Sequence, residues 1–91
     1  MRLDVFLSLS RLIKRRSLAK KACDFGAVLI DGVPAKPSHN VRISQKIQID
    51  FFNRVLEVKV IAIPVEKNIR KEDTRDFFEV IKEERRRVLD E

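Results

Sequence analysis

Arg15-Arg16-Ser17-Leu18-Ala19-Lys20-Lys21-Ala22-Cys23-Asp24-Phe25-Gly26-Ala27-Val28-Leu29-Ile30-Asp31-Gly32, residues 15–32, holds a helix, its stop, a strand and a tight turn in one short run. Ser17 has the chemistry of an N-cap, since its hydroxyl can accept an amide of the following turn. Leu18, Ala22 and Phe25 recur at helical spacing and mark a core-facing stripe, flanked by Ala19 and Cys23. Gly26 supplies the left-handed residue that ends such a helix. Beyond it Val28-Leu29-Ile30 is a short apolar strand, and Asp31-Gly32 is a strong signal for a two-residue hairpin turn.

Upstream, Leu3, Phe6, Leu7 and Ser10 follow the i, i+3, i+4, i+7 spacing of a first helix, from about Arg2 to Leu9 or Ser10. Asp4 falls in its first turn, where a carboxylate suits the helix dipole. Lys14-Arg15-Arg16 connects the two helices. Downstream, Pro34-Ala35-Lys36-Pro37-Ser38 cannot be a central strand because proline donates no ladder bond. Val41, Ile43, Ile47, Ile49 and Phe51 keep to odd positions, as half-buried strands do, with a turn expected at Ser44-Gln45 and another at Phe52-Asn53-Arg54. A further strand is expected over residues 55–63, ended by Pro64. Phe25 and Phe6 are expected in the core. Of the adjacent Phe51 and Phe52, one ring must point away from it. Glu66 to Thr74 reads as a polar linker. Phe77, Phe78, Ile81, Arg85 and Val88 trace a last helix, whose Arg85-Arg86-Arg87 run is offset by neighbouring acids.

The fold expected is therefore α+β: two N-terminal helices packed on a small antiparallel β-sheet, plus a C-terminal helix. The organisation is a domain over 1–63 and a linker with charged helix over 64–91. Ninety-one residues suffice for one small core and leave little room for a buried catalytic pocket.

Charge narrows the function. The chain carries a net +6. Residues 1–65 hold twelve Lys/Arg against five Asp/Glu, whereas 66–91 hold eight against nine. Seven of the twenty basic residues lie in the first twenty-one positions: Arg2, Arg11, Lys14, Arg15, Arg16, Lys20 and Lys21. They are interleaved with the apolar helix pattern, so the charge sits on a folded surface suited to a polyanion. A single cysteine permits no intrachain disulfide, and one cysteine with one histidine makes no four-ligand zinc site. No metal or cofactor is expected. Cys23, on an apolar helix face, reads as packing. No run approaches the roughly 20 apolar residues of a membrane span, and the protein is expected to be cytoplasmic, without a membrane partner.

The order of two helices, glycine stop, strand, tight turn and Lys-Pro-Ser resembles the RNA-binding domain named after small-subunit ribosomal protein four, with its αL motif. The matching residues are Arg2-Leu3-Asp4, Phe6-Leu7, Arg15-Arg16-Ser17, Ala19, Gly26, Val28, Asp31-Gly32 and Lys36-Pro37-Ser38, over roughly residues 1–63. Within that superfamily Ser10-Arg11-Leu12-Ile13-Lys14-Arg15-Arg16 and Leu18-Ala19-Lys20 make the chain most similar to the RqcP (YabO) ribosome-quality-control family, which is related to the heat-shock protein fifteen family. Ser44-Gln45 stands where members usually place Gly-Asp, and Asp31 where Asn is common.

The resemblance implies a non-enzymatic, monomeric protein on the large ribosomal subunit. It would bind 23S rRNA and peptidyl-site tRNA and support C-terminal alanine tailing with an RqcH-type factor. The rivals are a heat-shock or ribosome-assembly factor and an accessory module of an RNA-modifying enzyme. The candidate RNA contacts are Arg2, Asp4, Arg11, Lys14, Arg15, Arg16, Lys20, Lys21, Lys36 and Ser38. Arg16 leads, because it lies beside the amides that open the second helix. Asp4 could accept from a nucleotide, orient Arg16, or serve its helix. Lys36 and Ser38 could reach a phosphate or shape a turn.

Overall fold

The computed structural model describes residues 1–64 and 77–85. Two helices, α1 (Leu3–Leu9) and α2 (Arg16–Asp24), precede strands β1 (Val28–Ile30), β2 (Val33–Pro34), β3 (Lys46–Phe51), β4 (Arg54–Val60) and β5 (Phe78–Arg85). The five strands form one antiparallel sheet in the order β2-β1-β3-β4-β5. One face of it is covered by the helices. Val28, Ile30, Ile47, Ile49, Leu56, Val58 and Val60 project from that face into a core shared with Leu3, Phe6, Leu7, Ala19 and Cys23. Each fully covered large side chain contributes about 1.5–3 kcal/mol relative to exposure.

The segment 15–32 folds largely as its residues dictate. Gly26 adopts φ +75°, and its N–H reaches Cys23 O at 3.0 Å while Ala27 N–H reaches Ala22 O at 2.9 Å. This pair of bonds is the Schellman closure of a helix. Asp31 and Gly32 both have positive φ, +49° and +84°, as a type I′ hairpin turn requires, and Ile30 pairs with Val33 across it. The Asp31 carboxylate then accepts the Lys46 amide at 3.0 Å and ties the hairpin to β3.

Three expectations are corrected here. Arg15, not Ser17, is the N-cap of α2, with no side-chain cap; Ser17 sits inside the first turn. The buried face of α2 is Ala19 and Cys23, while Leu18 is half exposed and Phe25 is 85% exposed. The helix is thus turned by about 100° from the expected stripe, because its small side chains permit close approach to α1 and β1. Ile43 is exposed in the turn that precedes β3 rather than half-buried in a strand.

The largest correction concerns Phe78–Arg85, expected in a helix. It is a strand paired with β4, matching Val60 to Phe78, Val58 to Val80 and Leu56 to Glu83. A register shift opposite Glu57/Val58 leaves Ile81 without a partner on β4. That bulge breaks the period-two alternation that would otherwise have marked the strand. Opposite charges also face one another, Glu57 with Lys82 and Lys59 with Glu79. The expected linker 66–74 and residues 86–91 lie outside the described residues. The expected strand over 55–63 ends at Val60; Ile61 and Ala62 continue beside it, their amides directed at Phe77 O.

Candidate nucleic-acid interface

Asp4 is the centre of the basic surface. It lies in the first turn of α1, and its side chain is only 2% exposed. Oδ1 accepts the Val5 amide at 2.8 Å and Arg2 Nε at 3.2 Å. Oδ2 accepts Arg2 Nη2 at 3.3 Å and Arg16 Nε at 3.3 Å. Burial raises the carboxyl's pKa, but the bonds from Arg16, Val5 and Arg2 outweigh it, and the net value is lowered from the ordinary 3.8. The group stays ionised and fully engaged. Of the readings open for Asp4, the structure shows two together: the carboxylate accepts the Val5 amide in the first turn of its own helix, and it lies beneath Arg2 and Arg16 and orients them.

The two guanidiniums remain accessible, with Arg2 49% and Arg16 57% exposed at the side chain. Arg16 commits only Nε, so both terminal nitrogens have no partner among the described residues. Arg2 keeps Nη1. Those remaining donors suit the oxygens of a phosphate, and a planar fork held from behind loses little freedom on binding. Arg16 also occupies the first position of α2, whose N-cap provides no side-chain bond. The first amides of that helix therefore take no bond from a capping side chain.

The loop after β2 is stapled to the same place. Leu3 N–H donates to His39 O at 2.8 Å and Asp4 N–H to Pro37 O at 3.1 Å, so the loop's carbonyls satisfy the first amides of α1. The terminal ammonium of Met1 donates to Asn40 Oδ1 at 2.8 Å, and Val41 N–H to Met1 O at 2.9 Å. Lys36 and Ser38 are exposed on this loop, where they line a cleft with Asp31, Val33 and Gln45 rather than joining the hydrogen-bonded Arg2–Asp4–Arg16 centre. Lys20 lies one turn along α2 from Arg16, on the same side.

Arg11, Lys14, Arg15 and Lys21 are exposed but stand outside the hydrogen-bonded centre. Arg11 adopts φ +60° just past the end of α1, a left-handed conformation that turns the chain toward α2. Lys21 points about 140° around α2 from Arg16, away from Asp4. Sequence reasoning missed Asn40 and the carbonyls of Pro37 and His39. Backbone bonds across more than thirty residues leave no local signal.

Cys23 is buried, and burial together with the Asp4 and Asp24 charges pushes its thiol up to about 11. It is unreactive packing. No described helix is long and apolar enough to cross a membrane.

A helix pair, hairpin and loop that jointly hold two arginines over one buried carboxylate define an S4-type αL domain. The S4 domain family model matches residues 1–47, and the chain belongs to that family. Within it, the chain belongs with proteins named RQC P-site tRNA stabilizing factor: it is 39% identical over 85 residues to that of Streptococcus pneumoniae, covering 93% of this chain and 94% of the relative. To the Bacillus subtilis protein of that name it is 38% identical, over 93% and 96%. The fold is also similar to the trimeric structure of Vibrio cholerae Heat Shock Protein 15, with a TM-score of 0.79 and 26% identity over 88% of this chain and 80% of that one.

Proposed function

We propose that this protein is a ribosome-associated RNA-binding factor of quality control. It binds 23S rRNA and peptidyl-site tRNA on obstructed large subunits. In concert with an RqcH-type factor it supports C-terminal alanine tailing of stalled chains, acting as a monomer and performing no chemistry itself. The observation that carries the reading is the Arg2–Asp4–Arg16 centre beside the uncapped start of α2. It presents forked cations at a fixed spacing to a phosphate backbone. A-form RNA hides its base edges in a deep major groove, so such a surface recognises shape and backbone. The names of the relatives support the peptidyl-site tRNA in this reading. Lys36, Ser38 and Lys20 extend the contact, and Arg11, Lys14, Arg15 and Lys21 add long-range attraction.

The test is co-sedimentation of wild type and the Arg2→Glu/Arg16→Glu double variant with purified large subunits, either carrying peptidyl-tRNA or empty. Retention of wild type alone, chiefly on the obstructed subunits, is the expected result. Equal retention on empty subunits would replace this reading with an assembly or heat-shock role, in keeping with the likeness to Heat Shock Protein 15.

A further inference from the structure

The cleft at the β1–β2 edge of the sheet measures about 410 Å³, and none of Arg2, Asp4 and Arg16 lines it. Small-molecule sites span roughly 300–1,000 Å³. Val33, Pro34 and Ala35 supply apolar lining, and Asp31, Lys36 and Gln45 supply polar lining. The loop that shapes it closes in a β-turn, in which the His39 amide donates to Lys36 O at 3.0 Å and Pro37 takes the second position.

Gln45 is fixed by its own bonds. Its Oε1 accepts the Arg42 amide at 2.8 Å, so the oxygen end of the side chain is identified by a partner that can only donate. His39 Nε2 lies 3.4 Å from the same oxygen and therefore carries the hydrogen between them. The two hydrogens on Gln45 Nε2 have no partner among the described residues. Asp31 is held as firmly. Its amide donates to Lys46 O at 2.9 Å and its Oδ1 accepts the Lys46 amide at 3.0 Å, which leaves Oδ2 without a partner among the described residues. Asparagine would serve the same left-handed turn and the same Lys46 bond through its single oxygen. The second carboxylate oxygen is thus surplus to the fold, and it sets a negative charge in a domain whose partner is a polyanion. Because Lys46 directly follows Gln45, that oxygen and the Gln45 side chain belong to one corner of the cleft.

We propose that the cleft receives one unpaired guanine of the bound RNA. Asp31 accepts the N1–H and the N2 amino group, through Oδ2 and the remaining lone pair of Oδ1, and Gln45 Nε2 donates to O6. The inference rests on the RNA-binding reading above and deepens it from backbone recognition to the reading of one base. Guanine alone among the four bases sets two adjacent N–H donors beside a carbonyl on its Watson–Crick edge. Adenine and cytosine place a single amino donor next to acceptors there, and uracil one N–H between two carbonyls. A duplex occupies that edge, so the base is one that stands out of a helix. Lys36, exposed and without an ion pair among the described residues, takes the adjoining phosphate.

The test titrates the whole chain with uridine pentamers whose central base is guanine, adenine, cytosine or uracil. The guanine pentamer binds about tenfold more tightly than the others, and it alone shifts the Gln45 side-chain amide signals in NMR spectra. Inosine, which lacks the N2 amino group, loses most of the preference. Asp31→Asn keeps the turn and makes the protein more basic, so charge alone would tighten every pentamer. Instead it tightens the other three, weakens the guanine one and levels the four. Equal affinities in wild type, or a guanine preference that survives Asp31→Asn, would overturn the base site. Guanosine monophosphate binding as tightly as the guanine pentamer would overturn RNA as the source of the base. Retention of wild type on large subunits without a base preference strikes this inference alone; loss of that retention strikes the RNA-binding reading with it.

Discussion

Arg16 reaches across a sequence separation of twelve residues to Asp4, Nε to Oδ2 at 3.3 Å, and the carboxylate that receives it is almost wholly covered. The pair links the two helices through a covered carboxylate. Replacing Asp4 by Asn removes an acid from the basic surface and raises the net charge from +6 by one. By charge alone RNA binding would strengthen. The geometry gives the opposite: Asp4→Asn weakens subunit binding, because Arg2 and Arg16 lose their common anchor. The fold loses about 1–3 kcal/mol, the scale for disturbing a covered hydrogen-bonding group. Binding isotherms and denaturant melts on the same preparation check both signs.

Arg16→Lys keeps the charge and discards the fork. Lysine's three donors radiate from a single nitrogen, so it lacks the planar fork that holds Asp4 through Nε while presenting its terminal nitrogens to a phosphate. Binding falls by about tenfold, while stability changes by less than about 1 kcal/mol, since Arg16 is more than half exposed. Retention of wild-type affinity would mean that charge alone suffices at this position.

The lowered pKa of Asp4 sets the sign of an acid effect. The folded state binds this proton less readily than the unfolded chain, whose aspartate titrates near the ordinary 3.8. The stabilisation is complete above that value and is lost as pH falls through the lower, folded one. In thermal melts from pH 6 to pH 3, the gap between wild type and Asp4→Asn narrows toward the acid end. A constant gap would show that Asp4 keeps the same proton affinity in both states.

Phe6 and Phe25 have the same side chain and opposite surroundings, 0% and 85% exposed. Phe6→Ala costs about 3–5 kcal/mol. Phe25→Ala lies within about 0.5 kcal/mol of wild type. Comparable losses at both would return Leu18 and Phe25 to the core.

Ser44 adopts φ +76°, a conformation that costs an L-residue about 1–2 kcal/mol. Its amide bonds to Val60 O at 2.8 Å, which fixes the turn into β3. Ser44→Gly relieves the strain at some cost in unfolded-chain entropy, for a net gain of about 0.5–1 kcal/mol. A rise in the urea midpoint with an unchanged slope is the expected readout.

The helices, the Gly26 stop, the Asp31-Gly32 turn and the alternation of β3 and β4 were all legible locally, because each rests on contacts among near neighbours. The rotation of α2 was not. Leu18, Ala22 and Phe25 form as good a stripe as Ala19 and Cys23, and only the space available beside α1 decides between them. Phe78–Arg85 failed for a related reason. Its partner strand is some twenty residues away, and the bulge at Ile81 shifts the apolar positions so that they imitate a helix. The sequence marks Arg16 and Arg2 only as surface cations with a ligand to meet. That a single carboxylate gathers both depends on α1 and α2 packing together, which no spacing encodes.

The carbonyls of Pro37 and His39, spliced onto the first amides of α1, have a thermodynamic corollary. Helix start and loop are ordered together before any ligand arrives, so association need not fold either of them. Calorimetry should find a small heat-capacity change for the protein's part of the encounter, without the large burial signature of a segment that folds as it binds. The entropic cost then falls mainly on the RNA. A nucleic acid already held in shape by its surroundings would be favoured over the same sequence free in solution.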